Sequence, residues 1–278
     1  MSVSIRSAIR GPIAMTDNGR KRSRRTRRSL GLLASLAAGA LIGATAISPA
    51  NAALGAVGAP DANTGFPTYY QDVNGIKLGL CLVSANCLAG TTVPDPTQPA
   101  SVATGNFPDE AFYAYASADV TLTGGGRVRW LAVVEAAFLT GDIVDGDQMT
   151  FTRIQLNGSK INTRVYPVDT VLTARTPYGT ISGTVKKDGT LVRNRKESAP
   201  GTVDNGFRRP VTEATTGYGG TFLRWNAGAP AGFIGNPDVL HAVTGAKAGY
   251  ENSVQVFRGT AAVSPEVTQF SVGGQIAE

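Results

Sequence analysis

The chain of 278 residues is 42% hydrophobic and 17% charged, with two cysteines and a single histidine. Its formal charge of +6 would suit a nucleic-acid binder, but nine of the 26 basic residues lie within residues 1–52, beside one acidic residue. Residues 53–278 therefore carry 17 basic and 19 acidic side chains, and without a positive excess no nucleic-acid partner is expected.

Residues 1–52 have the three-part order of a secretory signal peptide. The cationic run Arg20–Arg28 precedes an apolar stretch rich in Ala, Gly and Leu, and a small-residue cleavage motif ends at Ala52. We expect cleavage after Ala52 and a secreted, extracellular protein that meets the membrane only through its signal. Residues 26–30, Thr-Arg-Arg-Ser-Leu, resemble a twin-arginine export motif, and the Sec route is the alternative.

Residues 53–105, rich in Gly, Pro, Ala, Thr and Asn, are expected to form a loosely structured N-terminal segment. Within it, the Asn74-Gly75 pair between apolar residues predicts a β-hairpin. Cys81 and Cys87 follow closely, and in an exported chain this spacing predicts a local disulfide bond. Residues 90–105, which contain several prolines, are interpreted as a linker.

Residues 106–278 contain short apolar runs separated by turn residues, the pattern of an all-β, antiparallel β-sandwich of one lobe or two. Two-residue turns at Asn157-Gly158 and Asp188-Gly189 would set the register of two hairpins, the second with Val185 opposite Val192. The predicted strands are Ala111–Leu122, Val128–Leu139, Gln148–Leu156, Ile161–Tyr166, Thr170–Ala174, Gly179–Lys187, Thr190–Arg195, Thr221–Trp225, Ser253–Arg258 and Thr268–Val272.

Glu135 lies in an apolar run, where a carboxylate must be paired or protonated. If the hairpin that follows is symmetric about Val144, Arg153 faces Glu135, and the two form a structural ion pair on one face of the sheet. The alternative makes Glu135 the general acid of a glycoside hydrolase, which needs a second carboxylate across a cleft. The candidates for that carboxylate are Asp109, Glu110 and Asp119.

Between these strands, Asp142, Asp145 and Asp147 form the densest acidic cluster of the sequence. Calcium takes about six to eight oxygen ligands, and such a loop also offers backbone carbonyls, so the cluster is a candidate calcium site. Its spacing is not that of an EF-hand, and the alternative is a polar loop whose aspartates cap turns. No other cofactor is expected.

His241 is the only histidine, which excludes metal sites built on several imidazole rings. The sequence has no Gly-x-Ser-x-Gly elbow, so a structural role is expected for His241 rather than that of a catalytic base. Trp225, at a strand end beside a Gly/Pro loop, is the best candidate for an exposed, ligand-binding ring, with core packing as the alternative.

The second predicted hairpin is basic, and it would either contact anionic polysaccharide or discourage edge pairing. Its basic residues are Lys186, Lys187, Arg193, Arg195 and Lys196.

Several stretches resemble a group of uncharacterised secreted bacterial β-rich proteins. These stretches are Gly65–Gly75 with Leu80–Leu82 and Cys87, Phe107–Tyr113, Asp142–Gln148, Thr176–Gly179 and Ala229–Gly235. The resemblance implies export and a β-rich fold. Because no activity is established for the group, it implies no catalytic residues.

Together these features predict a secreted, non-catalytic binding or structural protein of the extracellular space or cell wall, with polysaccharide as the candidate partner. A carboxylate-dependent glycoside hydrolase and a calcium-stabilised adhesion-like module are the alternatives. A hydrolase requires a concave site with two carboxyl groups about 5–9.5 Å apart, whereas a flat face without such a pair favours binding.

Overall fold

The computed structural model describes residues 54–83, 86–87, 93–192, 194–213 and 218–278. The predicted signal peptide lies outside these ranges. The chain is nearly all β, with 42% strand and 3% helix, and its sheets are antiparallel. The predicted all-β, antiparallel sandwich is therefore confirmed.

Within the described ranges, sixteen strands, a 3-10 turn at Val203–Asn205 and one short helix, α1 (Arg209–Thr212), follow one another along the chain. The strands are β1 (Ala56–Val57), β2 (Tyr70–Gln71), β3 (Lys77–Gly79), β4 (Glu110–Thr121), β5 (Arg127–Phe138), β6 (Gln148–Ser159), β7 (Val171–Thr176), β8 (Gly179–Thr184), β9 (Asn194–Glu197), β10 (Gly201–Thr202), β11 (Arg224–Trp225), β12 (His241–Thr244), β13 (Gln255–Arg258), β14 (Ala261–Ala262), β15 (Gln269–Gly273) and β16 (Gln275–Ile276).

The largest sheet has eight strands in the order β10-β6-β5-β4-β15-β12-β11, and β9 also pairs with β6. Two four-stranded sheets, β1-β2-β3-β16 and β14-β13-β7-β8, complete the described fold. Between β9 and β10, Ser198 continues the pairing, because its N–H donates to the carbonyl of Thr152 and its hydroxyl accepts the Thr152 N–H. The segment from β9 to β10 therefore runs along much of the outer edge of β6.

Strands β4, β5 and β6 have twelve residues each and form the centre of the large sheet. Side chains alternate between its two faces, and Val128, Trp130 and Val134 of β5 point into the hydrophobic core, where all three are fully buried. The residues of β5 between them point to the opposite face of the sheet; they are Arg127, Arg129, Leu131, Val133 and Glu135. We call this second face, formed by these residues and by the residues beside them on β4 and β6, the outer face.

A β-bulge in β4 shifts the register between Phe112 and Ala114. The extra residue, Tyr113, is fully buried, and its hydroxyl donates to the carbonyl of Pro67 at 2.6 Å. Because a bulge reverses the alternation of side chains beyond it, Phe112 lies on the outer face, directly opposite Glu135. Glu110 lies on the outer face for the same reason.

The predicted hairpin around Asn74-Gly75 is present as the pair β2–β3, with Tyr70 opposite Leu78. The Asp72 carboxylate organises its loop by accepting the N–H groups of Asn74 and Ile76. The disulfide bond between Cys81 and Cys87 is also present. Of the predicted linker, residues 90–92 lie outside the described ranges, and residues 93–105 place Val102 in the core.

The predicted turn at Asn157-Gly158 is wrong. Both residues belong to β6, where Asn157 pairs with Arg129 and Gly158 with Val128. Glycine serves close packing here, because a Cβ at position 158 would lie 2.5 Å from Cγ of Leu191. The predicted pairing with β5 thus continues through the sequence that looked like a turn.

The turn at Asp188-Gly189 is present, but its predicted register is wrong by one residue. Val185 pairs with Leu191 instead of Val192, and Gly189 adopts a left-handed conformation with φ of 72°. A glycine in this conformation after a tight turn is typical of a three-residue hairpin loop. The shift places Leu191 in the core, 5% exposed, and leaves Val192 50% exposed.

We expect Gly158→Ala to lower the free energy of unfolding by about 1–3 kcal/mol, because the added methyl group overpacks the contact with Leu191. Urea denaturation measures this change. In a Leu191→Ala background, which removes the opposing side chain, the same substitution should cost less. An equal cost in both backgrounds would contradict the packing explanation.

Candidate functional site

The outer face changes from buried to open along the strands. At one end Glu135 is 1% exposed, whereas at the other the Arg127 side chain is 59% exposed. We call the cluster of Glu110, Glu135 and Arg153 the buried end of the face. The open end consists of Asp119, Arg127, Arg129, Asn157, Ser159 and the adjoining Lys160.

At the buried end, Arg153 of β6 reaches two carboxyl groups on two other strands. Its Nη2 donates to Oε2 of Glu135 and lies 3.8 Å from Oε1 of Glu110. The guanidinium also lies 5.4 Å from the ring centroid of Phe151, within the range of a cation–π contact. Glu197 of β9 lies opposite Arg153 in the backbone register, so a fourth strand borders this cluster.

The structure brings Glu135 and Arg153 together, but through a different register from the predicted one. Glu135 lies opposite Phe151 and Arg153 lies opposite Val133, a shift of two positions along β6. The ion pair is therefore diagonal. The cause is the connecting loop, which is centred on Ile143 instead of Val144, since Leu139 donates its N–H to the carbonyl of Asp147.

Burial raises the pKa of Glu135 well above its ordinary value. A hydrogen bond with Glu110 raises it further, and the positive charge of Arg153 acts in the opposite direction. Two carboxyl groups that hydrogen-bond to each other hold a proton between them. The buried end thus combines a carboxyl group of raised pKa, Glu135, with a second carboxyl group, Glu110, and with the guanidinium of Arg153.

This arrangement bears on the hydrolase hypothesis, in which Glu110 was a candidate second carboxylate. In direct hydrogen-bond contact, the two carboxyl groups are closer than the spacing of about 5–5.5 Å that a retaining glycosidase uses. Asp119 belongs to the other end of the face, and Asp109 is an exposed residue that precedes β4. The buried end therefore has the geometry of a structural network.

At the open end, Asp119 of β4 holds Arg129 of β5 through two parallel bonds, Nε to Oδ1 at 2.9 Å and Nη2 to Oδ2 at 2.5 Å. Nε of Arg127 lies 3.8 Å from the same carboxylate. On β6, Nε2 of Gln155 donates to Oδ1 of Asn157 at 2.6 Å. These contacts fix side chains on three neighbouring strands in rows across the sheet.

Two shallow, adjoining depressions lie at this end of the sheet. One, of about 220 Å³, is lined by Asp119, Arg127, Arg129, Asn157, Gly158 and Ser159. The other, of about 330 Å³, is lined by Thr121, Gly126, Arg127, Ser159 and Lys160. They share Arg127 and Ser159, so they form one continuous surface, most of whose lining residues are polar.

Trp225 and His241 stack against each other on the neighbouring strands β11 and β12. Their ring centroids are 4.3 Å apart with an angle of 16° between the planes, and Nδ1 of His241 lies 2.8 Å from the carbonyl of Ala242. Trp225 is half-buried and packs against the core, and its Nε1 is buried. One face of the candidate ligand-binding ring is thus covered by the histidine.

The three aspartates of the candidate calcium site lie in the loop between β5 and β6. Oδ1 of Asp145 accepts a hydrogen bond from Gln148 at 2.9 Å, and Oδ2 of Asp147 accepts one from Thr140 at 2.7 Å. Asp142 is exposed. In the described part of the chain, no group of three or more His, Cys, Asp or Glu side chains is arranged to hold a metal ion.

Three of the basic residues of the second hairpin make separate contacts in the described part of the chain. Nζ of Lys186 lies 3.9 Å from Asp188, and Nε of Arg195 lies 3.1 Å from Glu197 on the outer face. Nζ of Lys196 donates to the carbonyl of Thr180 on β8. Arg193 lies outside the described ranges.

Comparison with known proteins found no matching family model, no matching curated protein and no matching solved structure. Among the residues that the structure describes, no helix has the length and apolar character needed to cross a bilayer.

The raised pKa of Glu135 predicts a pH dependence of stability. A carboxyl group whose pKa is raised on folding contributes stability that is present below its unfolded pKa of about 4.3 and is lost as the pH rises through the folded value. We expect Glu135→Gln to remove this decline, because the amide keeps a donor and cannot ionise. Urea denaturation at several values between about pH 4 and about pH 8 measures it.

Glu266→Gln, at an exposed position, serves as the matched control and should leave the pH profile of the wild type unchanged. If Glu135→Gln and wild type lose stability in parallel as the pH rises, Glu135 is not held protonated by its surroundings.

Proposed function

We propose that the mature chain is a secreted, non-catalytic binding protein of the extracellular space or cell wall, and that the open end of the outer face binds extracellular polysaccharide. The observation that carries this proposal is the row of exposed polar side chains held in place by their own contacts. Asp119 fixes Arg129 by two bonds, and both side chains remain accessible, 37% and 42% exposed.

The strands that carry these side chains support a binding role. Alternate residues of one strand are about 7 Å apart, and neighbouring strands are about 4.8 Å apart. Side chains on neighbouring strands therefore stand at regular spacings. Strands of twelve residues hold them rigidly, so little conformational entropy is lost when a ligand binds. A shallow, extended polar surface suits a chain molecule that lies along it, such as a polysaccharide.

The environment of the titratable groups favours binding over catalysis. A general acid must contact its substrate, whereas Glu135 is 1% exposed and already bonded to Glu110 and Arg153. His241 is covered on one face by Trp225, and its Nδ1 is engaged with a backbone carbonyl. The contacts of these side chains are made within the protein and stabilise its fold.

Two features support an extracellular location. The order of charged, apolar and small residues in 1–52 is that of a signal peptide. The disulfide bond of Cys81 and Cys87 is of the kind that persists in oxidising compartments.

We expect the culture medium of the producing organism to contain the protein with Ala53 as its first residue and no free thiol. N-terminal sequencing and thiol labelling under denaturing conditions measure both properties. Replacement of Ala50 and Ala52 by bulky residues should block processing, since a signal peptidase requires small residues there. An unprocessed, thiol-containing protein in the cytosol would contradict the proposed location.

We expect the purified protein to bind extracellular polysaccharides on a glycan array, and Asn157→Ala and Arg129→Ala to weaken binding about tenfold each, as the loss of a directly bonded group does. Arg208→Ala, at an exposed position beside α1, is the matched control and should bind like wild type. Circular dichroism verifies that each variant is folded.

Binding that is unaffected by both open-end variants would place the site elsewhere and overturn this part of the proposal. A Trp225→Ala variant then tests the alternative site on β11.

A further inference from the structure

We propose, building on the binding function above, that the ligand of the open end is an acidic polysaccharide, recognised through its carboxylate or sulfate groups by Arg127, Arg129 and Lys160. Neutral glycans share the hydroxyl chemistry of such a ligand but lack its charge. Three properties of the open end distinguish the two ligand classes.

The first property is charge. The two adjoining depressions are lined by three cationic side chains and one carboxylate, Asp119. That carboxylate neutralises only part of the positive charge, because Arg129 is bonded to it while Nε of Arg127 is 3.8 Å away. The surface therefore keeps an excess of positive charge, although residues 53–278 as a whole are slightly acidic.

The second property is an excess of hydrogen-bond donors. Both oxygens of Asp119 already accept bonds from Arg129, and Oδ1 of Asn157 already accepts one from Gln155. Each strong acceptor of the surface thus already bonds to a donor within the protein. The Arg127 guanidinium, the Lys160 ammonium and the Asn157 amide still offer N–H groups, and such a surface favours an acceptor-rich anion.

The third property is preorganisation. Arginine binds carboxylate and sulfate-like groups through a planar fork, and the bidentate contact with Asp119 holds Arg129 in one orientation. Arg127 lies two residues away on the same strand and points to the same face. Because Nε and Nη2 of Arg129 are bonded to Asp119, Arg129 keeps Nη1 for a ligand, while Arg127 offers its whole guanidinium. Two such cationic groups on one strand suit repeated anionic groups along an extended chain.

A small cationic area also separates this ligand class from nucleic acids and membranes. Proteins that bind duplex DNA through phosphates neutralise many of them at once, about six to ten in typical cases. Here only three cationic side chains line the two depressions, and residues 53–278 as a whole are slightly acidic. Isolated anionic groups on a polysaccharide match this arrangement better than a continuous phosphate backbone does.

Dextran sulfate and unmodified dextran provide a matched pair of probes that differ only in the anionic group. We expect the purified protein to bind dextran sulfate at least about tenfold more tightly than dextran by isothermal titration calorimetry, with affinity falling between about 50 mM and about 200 mM salt. The double variant Arg127→Gln/Arg129→Gln should lose about tenfold or more in affinity for dextran sulfate.

The control variant Arg208→Gln/Arg258→Gln removes the same charge from exposed positions outside the open end and should keep wild-type affinity. If the open-end double variant does not fold, Lys160→Gln replaces it, because this residue follows the end of β6. Arg127→Lys/Arg129→Lys keeps the charge but loses the fork, so it should bind with intermediate affinity.

Each contrary result has its own meaning. Equal affinity for dextran and dextran sulfate, lost in the open-end variant, would overturn the acidic ligand and leave the proposed binding function in place. Equal losses in the open-end and control variants would show non-specific attraction and overturn the assignment to this site. Tighter binding to duplex DNA or to phosphatidylglycerol vesicles than to dextran sulfate would overturn polysaccharide as the ligand class.

Discussion

Burial of one face of β4, β5 and β6 is the constraint on which the rest of this structure depends. Val128, Trp130 and Val134 lie on one face of β5, and its charged residues Arg127, Arg129 and Glu135 lie on the other, so the core can enclose only one of the two sets. Removing apolar surface from water contributes about 25 cal/mol per Å², so the choice of face is strongly determined. The polar set then has no alternative to the outer face, where its members meet across three strands.

The bulge at Tyr113 adds a second determinant, because it decides which residues of β4 join that polar set. Without it, Glu110 and Phe112 would point into the core, and Glu135 would lack its hydrogen-bond partner Glu110. One inserted residue thus satisfies a buried carboxyl group and supplies an aromatic side chain to the core. The side chains of the buried end bond to one another and stabilise the sheet, whereas those of the open end remain accessible to a ligand.

The parts of the structure that follow from local chemistry could be predicted from the sequence, such as the all-β fold, the Asn74-Gly75 hairpin and the disulfide bond. The turn assigned to Asn157-Gly158 was wrong, because pairing with β5 and contact with Leu191 outweigh local turn propensity. The pair Asp119–Arg129 was missed although symmetry about Gly124 predicts it. The stacking of Trp225 on His241 joins residues from separate strands, and no local pattern indicates it.

The segment from β9 to β10 covers the outer edge of β6, and this cover bears on aggregation of the folded protein. A bare twelve-residue strand is a template on which other molecules assemble into fibrils. β9, Ser198 and β10 occupy backbone groups of that template from within the same chain. This internal cover therefore removes an edge on which further copies of the chain could assemble.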